Sequence, residues 1–305
     1  MIRTDFIGGL VPPMLTPCNP DQTINIKKLR FMVDHVIEGG VHGILVYGSN
    51  SEFFAIEEEE MKRGLDAILD QNNKRVPIFM GIGAINTKVC IRMAKWAVEM
   101  GVDGISVLQP MFVKPNEEEL YKHFKAIADA VPETPMLIYN NPGRTGYGLS
   151  VKLISKLGHE VENIVGTKDS SGDLSLTSEL LRLTKDIDFK VFCGKDTLIF
   201  PALALGCAGA VPCMCNFAAP LVREIWDKFQ AGDYEGARDA QFRMNPLRLS
   251  MDAASFPTGT KDMANLMGLE VGSPFLPNMD TKGVAFETMK ELLAIAGYSV
   301  KNIQR

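Results

Sequence analysis

Residues 136–168 read MLIYNNPGRTGYGLSVKLISKLGHEVENIVGTK, and this stretch contains one complete unit of the fold. Met136–Tyr139 and Ile164–Thr167 are short apolar runs of the kind that form buried strands. Between them, Val151–Leu157 has the spacing of apolar residues that is typical of an amphipathic helix. A strand, a helix and a second strand in this order predict a β/α/β unit with two parallel strands.

The same alternation runs through about two-thirds of the chain, which predicts an α/β protein built as a parallel (β/α)8 TIM barrel. The strand candidates are Gly8–Leu15, Gly43–Tyr47, Val76–Gly81, Gly104–Leu108, Met136–Tyr139, Ile164–Thr167, Lys190–Cys193 and Gly209–Pro212. The helix candidates are Ile26–Glu38, Glu57–Gln71, Lys88–Glu99, Glu117–Ala130, Val151–Leu157, Leu174–Thr184, Asp196–Leu205 and Leu221–Gln230. A doubly wound open sheet is the alternative, and it is disfavoured because no G-x-G-x-x-G turn follows the first strand.

After about residue 232 the alternation of strands and helices stops. Asp233–Met251, Gly259–Leu266 and Ala285–Ala296 are predicted helices with no strand between them. We therefore predict a catalytic barrel over residues 1–231 and a C-terminal helical extension over residues 232–305.

Composition and charge narrow the class of protein. The 305 residues are 46% hydrophobic and 23% charged, which is typical of a globular chain. The net charge is −5 with no basic block, so no nucleic-acid partner is expected. No segment has the length of a membrane span or the pattern of a signal peptide. The sequence predicts a soluble, cytoplasmic protein that does not bind a membrane.

The cysteines do not indicate a metal site. The six are scattered among apolar residues, and we expect buried thiols that pack as small hydrophobic groups. Cys213 and Cys215 are spaced as C-x-C, but no histidine lies near them in the sequence. A thiolate zinc site is therefore not predicted.

Lys168 is the candidate nucleophile. It follows the apolar run Ile164–Thr167, so its amine is delivered to the C-terminal tip of a buried strand. Apolar surroundings disfavour an ammonium ion, and a neutral amine can attack a carbonyl to form a Schiff base. A rim lysine paired with Asp169 or Asp173 is the alternative interpretation.

Active sites in (β/α)8 barrels lie at the C-terminal ends of the strands. Three polar segments fall at such ends, namely Gly48–Glu52 after strand 2, Tyr139–Gly146 after strand 5, and Lys168 itself. Strands 5 and 6 are neighbours, so Tyr139 and Lys168 are expected to reach one substrate.

These residues resemble those of the dihydrodipicolinate synthase/N-acetylneuraminate lyase family of class I aldolases. The resemblance covers essentially the whole chain, and its motifs are GLVPPMLTP at 9–17, GSNSE at 48–52, YNNP at 139–142, GTKD at 166–169, CGKD at 193–196 and KDMANLMGL at 261–269.

The resemblance implies the reaction class. Lys168 would form an imine with pyruvate or a 2-oxo acid, and the protonated imine would stabilise the enamine made when a C–C bond breaks or a proton leaves C3. Tyr139 would shuttle protons, with Ser49 as a relay hydroxyl. No metal or organic cofactor is implied.

The resemblance also implies which residues bind substrate. The Gly48-Ser49-Asn50 turn would hold the substrate carboxylate, since a turn before a helix offers backbone N–H groups to an anion. Gly194 and Val211 would line the pyruvate end of the pocket. Arg144 matches the arginine with which the synthases hold the carboxylate of aspartate semialdehyde.

Two departures concern the second substrate. The synthases contribute a tyrosine across a subunit interface, whereas Phe112 stands at that position and has no hydroxyl. Asn50 stands in a segment where the synthases have two threonines and a glycine. Arg144 favours dihydrodipicolinate synthesis. Asn50 and Phe112 favour cleavage of 4-hydroxy-2-oxoglutarate or a 2-keto-3-deoxy sugar acid, and no specific residue favours N-acetylneuraminate cleavage.

The residues do not favour two other classes of protein, a non-catalytic binding barrel and a metal-dependent aldolase. A non-catalytic barrel that binds an oxo acid would be expected to lack Lys168 or Tyr139, and a metal-dependent aldolase would need histidines at strand ends. His35, His123 and His159 fall on or beside helices, and His42 precedes strand 2.

The resemblance implies a homotetramer built from two dimers, with Phe112 at the subunit interface.

Overall fold

A computed structural model describes residues 2–303 of the chain. Its strands are β1 (Gly9–Leu10), β2 (Ile44–Val46), β3 (Ile78–Ile82), β4 (Gly104–Leu108), β5 (Met136–Asn140), β6 (Ile164–Asp169), β7 (Lys190–Cys193) and β8 (Gly209–Ala210). Its helices are α1 (Ile26–Glu38), α2 (Glu58–Asn72), α3 (Thr87–Met100), α4 (Glu117–Asp129), α5 (Pro142–Thr145), α6 (Val151–Glu160), α7 (Leu174–Leu183), α8 (Ile199–Leu205), α9 (Ala219–Gln230), α10 (Tyr234–Ser250), α11 (Thr258–Leu266) and α12 (Gly283–Ile295).

The eight strands form one parallel sheet in the order β1-β8-β7-β6-β5-β4-β3-β2. From β2 to β8 each strand is the neighbour of the next one in the chain, as expected when a helix connects one strand to the next, and β1 pairs with β8. Between the two end strands, the backbone N–H of His42, which lies just before β2, donates to the carbonyl of Leu10 in β1 at 2.8 Å. The predicted (β/α)8 class with C-terminal helices is confirmed.

Two strands end at least two residues earlier than predicted, and proline explains both. β1 ends at Leu10 and β8 ends at Ala210, whereas the sequence favoured strands that continued to Leu15 and Pro212. Pro12, Pro13 and Pro212 have no backbone N–H, so each would leave a gap in a parallel ladder.

Capping residues mark the ends of several helices. Asn116 accepts a hydrogen bond from the backbone of Glu119, and the Glu119 side chain accepts one from the backbone of Asn116, which forms a capping box at the start of α4. The Asn86 side chain caps α3. At its other end, Gly101 adopts φ +102° and closes the helix in a conformation that glycine tolerates best.

The contacts divide the chain into two compact units. The first contains the described residues up to Val11 together with His42–Leu45 and Pro77–Val211, and it includes nearly the whole sheet. The second contains Pro12–Val41, Val46–Val76 and the described residues from Pro212 onward. In the second unit α10 packs against α9 and α12. The predicted boundary at residue 231 stays a prediction.

The interior of the first unit is a cluster of buried apolar side chains contributed by most of the strands. Its members are Ile7, Val11, Leu45, Phe79, Leu137, Val165, Phe192 and Val211. All six cysteines are free and buried, and burial raises the pKa of Cys193 and of Cys207 to about 12, so both are protonated thiols at neutral pH. Among residues 2–303, no helix combines the length and the hydropathy that a membrane span requires.

Candidate active site

Lys168 and Tyr139 face each other on neighbouring strands. They are register partners in the β5–β6 pair, and the Lys168 Nζ lies 4.0 Å from the centroid of the Tyr139 ring. Only 3% of Lys168 and 6% of Tyr139 is exposed. The geometry therefore holds one amine against one phenol in a site largely closed to water.

A register shift in the β5–β6 pair is needed to turn Lys168 inward. Val165 packs in the interior cluster, so strict alternation would place residue 167 inside and residue 168 outside. Met136 pairs with Ile164, but Leu137 pairs with Gly166, so the pairing skips one residue of β6. Such an irregularity re-aims the side chains that follow it. It puts Lys168 on the same side of β6 as Val165.

A small cavity in the first unit is lined by Lys168. Its other walls are seven side chains, Val11, Leu45, Phe79, Ser106, Leu137, Phe192 and Val211. Apart from Ser106 these side chains are apolar, so the surroundings of Lys168 in this cavity are mainly hydrophobic. Val211, which the sequence assigned to the pocket, is among the lining residues, while Gly194 is not.

The oxygen of Tyr139 is held by a neighbouring amide. The Asn141 side chain donates from Nδ2 to the Tyr139 hydroxyl at 2.7 Å. The backbone N–H of Asn141 in turn donates to Oε1 of the buried Gln109 at 3.1 Å. Gln109 also donates from Nε2 to the carbonyl of Tyr147 at 2.7 Å and to Oγ1 of Thr145 at 2.9 Å. The side-chain amide of Gln109 thus connects three residues of the segment after β5, Asn141, Thr145 and Tyr147.

Asp169 ends β6 beside Lys168 and belongs to the same rim. The Asn140 side chain donates to its carboxylate at 2.7 Å, and the hydroxyl of Ser171 does so at 2.7 Å. Burial nevertheless raises the pKa of Asp169 above its ordinary value, because desolvation outweighs these donors. No ion pair links Asp169 to Lys168 among the described residues, so the rim salt bridge considered from the sequence is not formed there.

The remaining first-unit predictions lie on loops that follow strands. Arg144 is exposed on the single turn α5 directly after β5. Gly194 follows β7, and its backbone N–H donates to the carbonyl of Asp169 at 2.7 Å. A Cβ on Gly194 would overlap the side chain of Ser170, so this close approach of β7 to β6 requires glycine.

The Gly48–Glu52 segment belongs to the second unit. Ser49–Ser51 form a 3₁₀ turn, with Ser49 and Ser51 buried, and Glu52 ends it in the left-handed region at φ +58°. The hydroxyl of Ser51 donates to the carbonyl of Met14. Thr260 on α11 donates to Oδ1 of Asn50 at 3.0 Å. The turn is therefore anchored by side chains of its own residues.

A buried ion pair fixes the end of this turn. Glu52 and Lys261 approach to 2.5 Å, and their side chains are 1% and 2% exposed. The other oxygen of Glu52 accepts from the backbone of Phe275 at 2.9 Å, and Lys261 also donates to the carbonyl of Ser273 at 3.1 Å. Burial raises the pKa of Glu52 and lowers that of Lys261, because desolvation outweighs their attraction. The pair as a whole is neutral whichever partner holds the proton.

Phe112 lies on the loop after β4. Its ring is 94% exposed, and its backbone adopts φ +70°, a conformation that costs energy for a residue with a Cβ. Within the described residues no other large apolar side chain is as exposed.

Sequence reasoning assigned no role to Asn141 or Gln109. Asn141 was within reach of such reasoning, since it follows a predicted strand at the end where active-site groups collect. Gln109 was not, because its role depends on contacts with residues about 30 positions away. Among residues 2–303, no three histidine, cysteine, aspartate or glutamate side chains are grouped as metal ligands.

The chain matches a known protein family over nearly its whole length. The model of the dihydrodipicolinate synthetase family matches residues 6–295. This chain belongs to the dihydrodipicolinate synthetase family. The 4-hydroxy-tetrahydrodipicolinate synthase of Methanospirillum hungatei JF-1 is 35% identical over 289 residues, which are 94% of this chain and 98% of that protein. The resemblance inferred from the sequence motifs is confirmed.

Solved members of the dihydrodipicolinate synthetase family share the fold. A dihydrodipicolinate synthase from Bacillus anthracis superposes with a TM-score of 0.91 and 32% identity over the full length of both chains. The prophage protein YagE of E. coli K12, solved in complex with pyruvate, has a TM-score of 0.91 and 27% identity, and the match covers 96% of this chain and 99% of that one. Membership of this family of Schiff-base aldolases confirms the prediction of a carbon–carbon lyase.

Proposed function

We propose that this protein is a pyruvate-dependent class I lyase in which Lys168 is the nucleophile. The observation that carries the proposal is the burial of Lys168 among apolar side chains, with its Nζ 4.0 Å from the ring centroid of Tyr139. A relative that was solved with pyruvate bound gives independent support for the first substrate.

The residues of the first unit suggest the order of steps. The amine of Lys168 adds to the keto carbon of pyruvate, and the resulting carbinolamine loses its hydroxyl as water to leave a protonated imine. A proton then leaves C3, and the electron pair moves toward the iminium nitrogen to give an enamine. The enamine carbon adds to an aldehyde, and hydrolysis of the new imine regenerates the amine. Tyr139 carries protons to and from these atoms.

The Gly48-Ser49-Asn50 turn is proposed to bind the carboxylate of pyruvate, with Ser49 as a relay hydroxyl. Its support is the family motif and the rigid anchoring of the turn by Asn50 and Ser51. Val211 and Gly194 are proposed to line the pyruvate end of the pocket.

Aspartate semialdehyde is the proposed second substrate. The support is Arg144, whose guanidinium can bind a carboxylate through two parallel hydrogen bonds, together with the similarity to the 4-hydroxy-tetrahydrodipicolinate synthase of Methanospirillum hungatei JF-1. The alternative is an aldolase that acts on 4-hydroxy-2-oxoglutarate or a 2-keto-3-deoxy sugar acid. Asn50 and the missing hydroxyl at Phe112 favour it. N-acetylneuraminate cleavage and a non-catalytic oxo-acid-binding barrel have no residue in their favour.

Borohydride reduction in the presence of pyruvate tests the chemistry. We expect a reduced pyruvate adduct on the peptide that contains Lys168, and no adduct in Lys168→Met. Lys195→Met removes a lysine just after the adjacent strand and is the matched control, which should keep the adduct. An unmodified Lys168 peptide in the wild type would exclude the proposed function.

We further propose a cytoplasmic homotetramer built from two dimers. The support is the family resemblance and the exposed ring of Phe112. Sedimentation velocity on the purified protein tests the assembly directly.

A further inference from the structure

The hydroxyl relay implied for this family lacks one member in this chain. Phe112 stands where the synthases have a tyrosine, and its ring carries no group that can donate or accept a conventional hydrogen bond. A phenol with an ordinary pKa near 10 is a poor base at neutral pH, so some polar group must hold the oxygen of Tyr139. The Asn141 amide occupies such a position, 2.7 Å from that oxygen.

Asn141 is held rigidly. Its backbone carbonyl accepts from the backbone N–H of Arg144 at 3.0 Å and from that of Thr145 at 3.1 Å. The Thr145 hydroxyl donates to the same carbonyl at 3.1 Å, and Gln109 accepts from the backbone N–H of Asn141 at 3.1 Å. The residue is 8% exposed. Four hydrogen bonds thus fix the backbone of Asn141, so little ordering of this residue remains to be done when substrate binds.

The direction of the hydrogen bond determines what Asn141 can do. An amide nitrogen donates and does not accept, so in this pair the phenol oxygen is the acceptor. The Tyr139 hydroxyl can then donate its own proton to another acceptor. A donor aimed at the oxygen also stabilises the phenolate that remains after proton transfer.

We propose that Asn141 is a positioning residue for the proton transfers at Tyr139 and that its amide supplies the hydrogen bond to the phenol oxygen for which Phe112 has no hydroxyl. This inference rests on the proposed function of Lys168 and Tyr139. When the carbinolamine loses water, Tyr139 gives its proton to the departing hydroxyl. The nitrogen lone pair forms the C=N bond as the C–O bond breaks. The phenolate, held by the Asn141 N–H, then accepts the proton that leaves C3.

Other charged groups near Tyr139 enter the pH dependence. Lys168 on β6 lies over the ring, Asp169 at the end of β6 accepts from the neighbouring Asn140, and Arg144 lies on α5. These charged residues are unchanged in the variants of Asn141, so a comparison of those variants with the wild type measures the effect of the Asn141 side chain alone.

The test compares Asn141→Ala, Asn141→Asp and Asn141→Ser with the wild type. It measures the rate of borohydride-trappable imine formation with pyruvate from pH 6 to pH 10. A hydrogen bond to a charged group is worth about 1.5–3 kcal/mol, so we expect Asn141→Ala to form the imine about 10- to 100-fold more slowly at neutral pH. The limb of the profile that reports Tyr139 should move roughly one to two pH units to higher pH.

The other two variants separate donation from packing. Aspartate has nearly the same shape as asparagine but places a carboxylate beside the phenolate, so it should shift the limb at least as far as alanine does. Serine can still donate and should recover part of the rate. Asn140→Ala is the matched control, because the side chain of Asn140 donates to Asp169 and not to Tyr139, and alanine adds no charge. It should leave the limb in place whatever it does to stability.

The outcomes distinguish this inference from the function on which it rests. An unshifted limb in Asn141→Ala and Asn141→Asp would overturn the role of Asn141 even where the rates fall, since a purely structural role lowers activity without moving the profile. Thermal melting of each variant identifies any that fail to fold, and Asn141→Ser then carries the comparison. If wild-type protein forms no adduct on Lys168, the proposed function fails instead.

Discussion

At the residue scale, the proposed role of Lys168 depends on Tyr139 and, through Tyr139, on Asn141. Tyr139 supplies a ring against the amine, and Asn141 supplies a donor to the oxygen of that ring. Successive side chains of a strand point to opposite faces, so Tyr139 and Asn141, which are two positions apart, are expected on the same face. The loop that begins after β5 then places the amide of Asn141 2.7 Å from the Tyr139 oxygen.

Replacement of Arg144 tests the second substrate. If Arg144 binds the far carboxylate of an aldehyde, Arg144→Ala should reduce kcat/KM for aspartate semialdehyde by roughly 10- to 100-fold, which corresponds to the loss of one charge-assisted pair. The rate of imine formation with pyruvate alone should not change. Steady-state assays with aspartate semialdehyde, 4-hydroxy-2-oxoglutarate and keto-deoxy sugar acids measure this. Equal activity of the variant and the wild type on every substrate would remove Arg144 from the pocket.

At the element scale, the register shift in the β5–β6 pair determines which face of β6 Lys168 occupies. Gly166 lies at the shift, where Leu137 is its partner. A Cβ there would overlap the backbone carbonyl of Lys190 on β7 as well as the side chain of Leu137. Glycine is therefore required two residues before the nucleophile.

Substitution of Gly166 is expected to affect both stability and chemistry. Gly166→Ala should lower the free energy of unfolding by about 1–3 kcal/mol, because backbone atoms cannot rotate away as a side chain can. It should also slow the trapping of pyruvate on Lys168. Urea unfolding and borohydride trapping measure the two effects. Gly8→Ala is the control, since its Cβ would meet the carbonyl of Ala208 at an ordinary 3.5 Å. Equal stability of the two variants would contradict the prediction.

The Glu52–Lys261 pair joins the end of the Ser49–Ser51 turn to α11. Removing one partner leaves the other buried without its counterpart. We expect Lys261→Met to destabilise the protein by about 3–5 kcal/mol. The double variant Glu52→Gln with Lys261→Met removes both charges and should recover a large part of that loss. A double-mutant cycle by chemical denaturation measures the coupling. Additive effects of the two changes would mean that the pair contributes no coupling.

At the scale of the whole molecule, buried histidine makes stability depend on pH. His123 on α4 packs edge-on against Phe124, and its Nδ1 lies 2.9 Å from the hydroxyl of Thr87. Burial lowers the pKa of His123 to about 4, below its value of about 6.5 in an unfolded chain. Between these values the unfolded chain binds the proton and the folded protein does not, so stability is lost as the pH falls.

This difference predicts a loss of roughly 2 kcal/mol from pH 7 to pH 5 through His123. His123→Gln should flatten the dependence of the unfolding free energy on pH over that window. His35, whose pKa burial also lowers, should keep part of the slope. Denaturant unfolding at a series of pH values measures both slopes. An unchanged slope in the variant would show that His123 is not the group responsible.

The assembly provides the other prediction at this scale. A ring as exposed as that of Phe112 is expected to be buried against a second copy, and burial of such a side chain is worth about 2 kcal/mol. Phe112→Asp should sediment as a smaller species, since aspartate tolerates the left-handed backbone but not an apolar interface. Phe112→Tyr keeps the ring and should keep the assembly. A wild-type protein that sediments as a monomer would refute the prediction.

Much of the fold and the reaction class could be predicted from the sequence because both depend on local patterns. Apolar runs and capping residues such as Asn116 are local signals, and the segment of β6 around Lys168 is a family motif. Strand ends were less predictable at Pro12 and Pro212, where the missing backbone donors were not weighed. The tertiary structure alone decided the inward direction of Lys168, the contacts of Gln109 and the pairing of Glu52 with Lys261. Each of these depends on strand register or on residues distant in the chain, which periodicity and composition do not encode.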